Sequence, residues 1–519
     1  MVFSSNIFLF AFLPLVLLFY FLLPQNLLRK NNAGTSCNIR LPNPILANPL
    51  LAGLALPNLV LVIFSLIFYA WGEIDYLALL LAAIIANYFF GLVLQSLVLQ
   101  KQQEEKTVKI TPHQRKLRLF FTIAIVFNLA SLGYFKYANF FIATLNQVFL
   151  LEIANKKIHL PIGISFFTFH AISYLTDIYR GKCKAQKNIA DLALYIAFFP
   201  QLIAGPIVRY NFIEKYLSKR RYSFTAAAYG IRRFIIGLGK KIIIANPLGQ
   251  LADAIFASPL SEINSALAWI GLACYTLQIY FDFSGYCDMA IGLARLFGFK
   301  FPENFNYPYR AKSVREFWRR WHISLSAWFR DYVYIPLGGN KVTLQRQYFN
   351  LILVFFLCGL WHGASWNFVV WGLFHGFFLV FERTKAGKHF LDFMPQIIRH
   401  FYTIFIVMLG WVFFRSPDLN YSIGFLKVMF SGNDIEIFST QIQRLLKSHF
   451  IWMSFGLALT GFCFPIKNLI RNLIKNLLQI KNYQKITMII SDLFLIAVLL
   501  LSILKMAAAT YNPFIYFQF

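Results

Sequence analysis

Charge is what this chain has least of. Of its 519 residues, 13% are Asp, Glu, Lys or Arg, where a soluble protein averages about 25%. Apolar residues take 58%, and mean hydropathy is +0.59. So little polar surface cannot cover a body of this size in water, which excludes a soluble enzyme and a disordered scaffold. Cysteine is sparse too: Cys37, Cys183, Cys274, Cys287, Cys358 and Cys463 are scattered, with no C-x-x-C pair. A disulfide-stapled secreted domain is excluded, and neither a zinc site nor a redox pair is indicated. Acid is scarcer than base, 21 residues against 49, for a net charge of +28. These bases sit mostly in short connections between apolar runs, as in cytoplasmic loops of membrane proteins. No nucleic-acid motif accompanies them, so no nucleic-acid partner is expected. Nothing basic precedes the apolar run from Asn6 to Leu23, and no small-residue cleavage site follows it. It reads as a retained first span rather than a secretory leader. Internal repeats and low-complexity linkers are missing, so a single membrane-embedded domain over residues 1–519 is expected.

What is abundant fits that reading. Aromatic residues reach 18%, with 59 Phe, 26 Tyr and 10 Trp, which suits spans with interfacial belts. Arg29, Lys30 and Arg40 follow the first run without an acid, placing that loop in the cytoplasm and the N-terminus outside. Pro57 to Trp71 then ends in a tight Gly72–Asp75 turn with no base. Tyr76 to Leu99 returns to a loop with six bases, Lys101, Lys106, Lys109, Arg115, Lys116 and Arg118, against Glu104 and Glu105. Further apolar stretches run over 119–135, 139–151, 160–179, 191–208, 226–245, 265–281, 286–298, 347–361, 366–381, 400–414, 450–465 and 487–504. A span needs about 20 apolar residues, so the shorter stretches read as re-entrant, tilted or buried, and about ten to twelve true spans are expected in an all-helical body. The basic run Lys467, Arg471, Lys475, Lys481 and Lys485 marks a further cytoplasmic loop, with the tail through Phe519 outside.

The chemistry concentrates between residues 281 and 382. From Ser313 to Arg330 the pattern reads as one amphipathic helix. Val314, Phe317, Trp318, Trp321, Leu325 and Trp328 share a face. Arg315, Arg319, His322, Ser326 and Arg330 share another, with His322 near the boundary. Residues 299–346 carry nine bases and three acids, which places them in the cytoplasm. One reading is an interfacial anchor with Trp toward lipid and Arg toward headgroups. The other is a cationic vestibule for a phosphate-bearing donor, since guanidinium forks suit phosphate, with His322 facing the chemistry.

Gln347 to Trp361 gives an apolar helix of about 22 Å, short of the hydrocarbon core of about 30 Å. It meets a break at His362-Gly363-Ala364-Ser365, which leaves His362 deep in the protein, where an ionisable residue is a functional candidate. A core histidine satisfied by a backbone carbonyl is the plain alternative. His375, thirteen positions on, falls on the opposite side of a continuous helix, and no carboxylate completes a ligand set, so no metal is expected. A neutral imidazole is a natural base toward a hydroxyl. No G-x-S-x-G is present, and Gly237-Leu238-Gly239-Lys240 lacks the P-loop spacing. Direct transfer to an acceptor hydroxyl is therefore simpler than a covalent enzyme intermediate.

Two weaker features remain. Asp282, Ser284 and Asp288 lie in an apolar context, where acids cost free energy unless paired or capping. The favoured reading is that Asp282 and Ser284 cap a helix beginning near Asp288. The broken apolar segment Phe199–Pro206, containing Gln201, reads as a cavity wall, because non-helical backbone at membrane depth survives only when buried or lining a cavity.

Seven stretches in this order resemble the membrane-bound O-acyltransferase family, and within it the bacterial alginate O-acetyltransferase branch. They are Gln201–Ile207, Phe281–Tyr286, Asn304–Tyr309, Phe317–Leu325, Tyr334–Asn340, Leu360–Ala364 and Phe514–Phe519. The resemblance implies an all-helical, multi-span body in which a funnel meets a channel at the active site. It matches His362 to the catalytic histidine and His322 to the second active-site position. It implies acetyl-CoA as donor substrate rather than a resident cofactor, with Arg315, Arg319 and Arg320 toward its phosphates. Asp282, Ser284, Gln201 and Asn340 are expected to line the tunnel. It also implies residence in the bacterial inner membrane, a polysaccharide acceptor outside, and a periplasmic acetyltransferase or relay protein as partner. Sister branches that transfer D-alanine from a carrier protein, or that serve peptidoglycan, share these motifs. A transporter or an assembly subunit of an export complex stays open, although no related halves of the kind inverted-repeat transporters show are visible.

Overall fold

The apolar stretches become helices. The computed structural model describes residues 2–22, 56–104, 112–154, 158–218, 220, 222–432, 447, 452, 456, 460, 483–508 and 511–513. Every regular element among them is helical. The Arg29–Arg40 loop, Lys106, Lys109, most of 450–465, the basic positions 467–481 and the tail 514–519 lie outside the described residues.

Five helical runs among the described residues are long and apolar enough to cross a membrane: Leu56–Lys101, His113–Phe149, Ser265–Leu296, Gln396–Arg415 and Thr487–Ala508. Phe8–Leu22 and Trp366–Phe381 are shorter apolar helices. The first long run is two helices, because Glu73 (φ −147°, ψ 54°) interrupts it and a single 3-10 turn, Ile74–Tyr76, takes the place of the tight turn read at Gly72–Asp75.

The chain forms two compact units, residues 1–226 with 294–300, and residues 227–293 with 301–519. The first contains α1 (Leu13–Leu22), α2 (Leu56–Glu73), α3 (Leu77–Glu104), α4 (Pro112–Leu132), α5 (Ala138–Phe149) and α6 (Ile164–Tyr179). Every residue of α6 except Tyr179 is buried, the signature of a helix enclosed by protein on all sides. Asn87 on α3 and Asn128 on α4 satisfy each other by two amide hydrogen bonds of 3.0 and 2.9 Å. Asn188 caps α7 (Ile189–Ala197) by accepting from the Ala190 N–H at 2.9 Å. The broken segment follows as α8 (Phe199–Leu202), a single turn, and all residues from 199 to 208 are buried. The unit continues with α9 (Tyr210–Ser218).

The second unit holds most of α10 (Phe224–Gly239), then α11 (Asn246–Ala257) and most of α12 (Ser265–Leu296). Here the structure corrects the sequence reading. Residues 265–296 form one uninterrupted helix of 32 residues, so Asp282 and Ser284 lie mid-helix and cap nothing. The acids are tolerated because they are paired. Asp282 meets Lys241 at 2.7 Å with side chains 1% and 4% exposed, and Asp288 meets Lys240 and Arg233, each at 2.7 Å.

Two short helices follow, α13 (Val314–Arg320) and α14 (Ile323–Phe329), then α15 (Leu344–His362) and α16 (Trp366–Phe381). α15 is longer than the 347–361 stretch by just over a turn. It lies directly against α16: a Cβ on Gly359 would sit 2.2 Å from the Phe368 carbonyl oxygen, and one on Gly372 2.3 Å from that of Phe355. Only glycine permits that approach. The unit closes with α17 (Lys385–Phe393), α18 (Gln396–Arg415), α19 (Leu419–Phe430) and α20 (Tyr483–Ala508). α20 exposes Met488, Ile489, Ile490, Leu493, Phe494, Ile496 and Leu504, a contiguous apolar face that suits lipid and not water.

Candidate active site

The expected amphipathic helix over 313–330 is not one helix. Its chain breaks at His322, whose φ of 44° and ψ of 54° are left-handed, a conformation that costs a non-glycine residue about 1–3 kcal/mol and persists only where its surroundings impose it. They do. The extended segment through Asn304 and Asn306 clamps both sides of the break: the Asn306 N–H donates to the Arg320 carbonyl at 2.9 Å, and the Ile323 N–H to the Asn304 carbonyl at 3.0 Å. α13 is fixed at its other end. Ser313 accepts from the Glu316 N–H at 3.0 Å, and the buried Glu382 carboxylate accepts from the N–H groups of Val314 at 2.7 Å and Arg315 at 3.0 Å. The apolar face read from the wheel is real but packs on protein: Val314, Phe317, Trp318, Trp321, Leu325 and Trp328 are all buried. This is a wall of the fold, not a surface anchor.

His322 is therefore not at a boundary; it is 1% exposed. His362, the last residue of α15, is 5% exposed. The two rings meet with centroids 6.5 Å apart and planes at 63°. Aromatic edges and faces hold each of them. Phe283 lies 4.7 Å from the His322 ring, while Trp361, Trp371 and Phe414 lie 4.9, 5.0 and 5.1 Å from that of His362. Such contacts fix ring position without supplying charge. Burial alone pushes the His322 pKa down to about 3, so its imidazole is neutral at physiological pH. On its Nδ1 side, 3.3 Å away, lies Oδ1 of Asn304.

His375 also belongs to this aromatic cluster, 5.2 Å from Trp371 and 5.0 Å from Trp318 by ring centroids. Its expected place on the far side of a continuous helix does not hold, because the helix breaks after His362. No group of three or more His, Cys, Asp or Glu able to hold a metal exists among the described residues.

The other expected site residues sit in different surroundings. Ser284 lines a cavity of about 700 Å³ together with Phe281, Asp288, Phe305, Asn306 and Ile323. Ile323 adjoins His322 in the chain and Phe305 adjoins Asn304, but neither histidine is itself part of the cavity lining. Asp282 is occupied by Lys241. Arg315 and Arg319 are exposed on α13, while Arg320 is held by Glu316 at 2.8 Å. Partial burial, with Arg319 and Arg383 nearby, lowers the Arg315 pKa, so Arg383 belongs to the same cationic surface. Asn340 is exposed and accepts from the Tyr334 hydroxyl at 2.8 Å. Gln201 is buried in the first unit, where its side-chain amide donates to the Tyr195 carbonyl.

Comparison with known proteins decides what this pair belongs to. The model of the membrane-bound O-acyltransferase family matches residues 66–414. The chain belongs to that family. This O-acyltransferase is 39% identical over 547 aligned positions to the protein named "Probable alginate O-acetylase AlgI" of Azotobacter vinelandii, covering 100% of both chains. It is 37% identical to the peptidoglycan O-acetyltransferase of Helicobacter pylori, over 84% of this chain and 81% of that one. Similarity to the teichoic acid D-alanyltransferase of Bacillus subtilis is narrower, 34% identity over 41% of this chain and 56% of that one. The transporter and assembly-subunit readings give way to a membrane-embedded acyltransferase.

Three residues around the candidate site of this O-acyltransferase escaped sequence reasoning as individuals. Asn304 stood only as part of a motif, and Glu382 and Arg383 were not singled out. None carries a local signal, because each acts on a residue 18 to 68 positions away.

Proposed function

We propose that this O-acyltransferase takes acetyl from cytoplasmic acetyl-CoA and passes it across the bacterial inner membrane for O-acetylation of an extracytoplasmic polysaccharide, alginate or a related envelope polymer. His362 removes the proton from the acceptor hydroxyl, the hydroxyl oxygen attacks the thioester carbonyl, and the C–S bond breaks as the CoA thiolate leaves and takes up the proton. His322 orients the reacting groups. Arg315 and Arg319, with Arg383, meet the donor phosphates, while Arg320 supports α13 through Glu316. A periplasmic acetyltransferase or relay protein receives or completes the transfer.

The observation that carries this reading is the pair of buried imidazoles with ring centroids 6.5 Å apart; Ile323, the chain neighbour of His322, lines a cavity together with Ser284. General-base catalysis contributes about 10²–10⁴-fold, and exclusion of water with positioning supplies the rest. Full-length similarity to a protein named as an alginate O-acetylase supports acetyl over D-alanyl transfer. Peptidoglycan is the alternative acceptor, supported by the Helicobacter pylori relative. The test is acetyl analysis of cell-envelope polymers with and without the chain. Loss of ester-linked acetyl from one polymer identifies the acceptor, and unchanged acetylation of every polymer contradicts the proposal.

A further inference from the structure

The part His322 plays depends on which ring nitrogen carries the proton, and the neighbour that decides this is Asn304. That side chain is 1% exposed. Its Oδ1 accepts from the Ser324 N–H at 3.0 Å and from the Ser324 hydroxyl at 2.9 Å. A backbone N–H only donates, so the amide oxygen, not the nitrogen, must face it. The nitrogen points the other way and donates to Cys287 Sγ at 3.2 Å. Asn304 thereby supplies from 18 residues upstream the cap that His322, as N-cap residue of α14, does not provide through its own side chain.

The same oxygen lies 3.3 Å from His322 Nδ1. An acceptor held in that orientation requires Nδ1 to carry the hydrogen. In a neutral imidazole the other nitrogen then holds a lone pair. Nε2 of His322 has no hydrogen-bond partner among the described residues. A lone pair repels a carbonyl oxygen or an oxyanion, so this nitrogen cannot polarise a thioester. What it can receive is an O–H.

We infer that Asn304 is a positioning residue that locks His322 in its Nδ1–H form, so that His322 Nε2 accepts a hydrogen bond from an acceptor hydroxyl and takes no part in polarising the thioester. One hydroxyl proton cannot serve two rings. With His362 removing the proton of the reacting hydroxyl, the group held by His322 is a second hydroxyl, which a sugar carries on an adjacent carbon. The inference rests on the acyl-transfer reading above and narrows its acceptor to a polyol. The groups facing His322 are His362 and Trp361 from α15, Phe283 from α12, and Asn304 with Cys287 behind it; none is a carboxylate or a fixed cation.

Two measurements on the full-length protein in lipid bilayers test it. ¹⁵N-histidine solid-state NMR, with His322→Gln to identify the signal, reads the tautomer directly. Protonated Nδ1 with bare Nε2 is expected in the wild type and Asn304→Asp, and a mixture in Asn304→Ala. A wild-type ring protonated at Nε2 overturns the inference whatever the activity. The second measurement follows acetyl transfer from acetyl-CoA to alginate oligosaccharides. Asn304→Ala should lower turnover about 10–100-fold, the usual size of effect for an outer partner that orients a ligating imidazole, and raise KM for the oligosaccharide. Its KM for acetyl-CoA should not change. Asn304→Asp should restore most of the turnover and move the acid limb of the pH profile upward, because a carboxylate stabilises the imidazolium; a merely structural asparagine moves no limb. A rise confined to the acetyl-CoA KM places His322 on the donor and contradicts the inference. Absence of any transfer to the oligosaccharide in the wild type contradicts a polyol as the direct acceptor and assigns first receipt of the acetyl group to the relay protein, while the NMR result stands or falls separately.

Discussion

Asn304 and His322, 18 residues apart in the chain, form one device: the asparagine caps α14, holds the left-handed backbone of the histidine and faces its Nδ1 at 3.3 Å. The proposed catalytic pair is thus assembled from two chain breaks, one at His322 and one after His362, rather than from one helical face. Each ring is carried at the end of a helix and locked by aromatic neighbours.

The buried, neutral state of His322 has a pH signature. Its folded pKa is lowered by burial to about 3, below an unfolded value of about 6.5. The unfolded chain binds the proton first as pH falls. The contribution to stability is complete above about pH 6.5 and is lost as pH drops toward about 3, at up to about 1.4 kcal/mol per pH unit. Thermal unfolding of the wild type should therefore fall more steeply between about pH 6.5 and 4.5 than that of His322→Gln. Parallel curves would show that the folded ring takes up its proton as readily as the unfolded one, against the burial shift.

The Gly359–Gly372 approach sets the position of His362. Gly359→Ala places a methyl 2.2 Å from the Phe368 carbonyl oxygen, and backbone cannot yield as a flexible side chain does. The expected cost is about 1–3 kcal/mol, read as a lower melting temperature, together with a loss of acetyl transfer larger than the loss of folded protein. Gly181→Ala, at a position with no neighbour within 4 Å but a φ of 68°, supplies the control for a conformational cost without a clash. Full activity in Gly359→Ala would separate His362 placement from this helix contact.

The Asp282–Lys241 pair is 1% and 4% exposed. Removing one partner leaves an uncompensated buried charge, at about 3–5 kcal/mol. Lys241→Met and Asp282→Leu should each destabilise strongly, and the double variant should recover a large part of that loss. Additive single and double effects would mean that the two residues are not coupled.

Much of this was legible in the sequence, and the failures share one cause. The membrane class followed from composition, and the order of motifs singled out the two histidines whose rings the structure brings within 6.5 Å. The helical wheel over 313–330 grouped the apolar residues correctly, yet it carried no sign of the break at His322, because the residue that imposes the break is Asn304. Asp282 looked like a cap because its partner, Lys241, lies 41 positions upstream. Periodicity registers what a residue does to its own helix; it is blind to polar partners brought in from elsewhere in the chain.

The cationic surface on α13 separates binding from chemistry. Arg315→Ala, Arg319→Ala and Arg383→Ala should each raise KM for acetyl-CoA several-fold with little change in kcat, and the effect should shrink at high salt, most for the exposed Arg315 and Arg319. Arg320→Ala should instead lower stability slightly through its lost pairing with Glu316. A kcat defect with unchanged KM in the Arg315 variant would remove that surface from donor binding.

The most direct test is acetyl transfer from radiolabelled acetyl-CoA by purified His362→Ala and His322→Ala, each checked for a wild-type melting profile. The proposed mechanism requires both to release little CoA and to leave the alginate acceptor unlabelled, with His362→Ala the more severe. Acetylation at the wild-type rate in either folded variant would contradict a mechanism built on these two imidazoles.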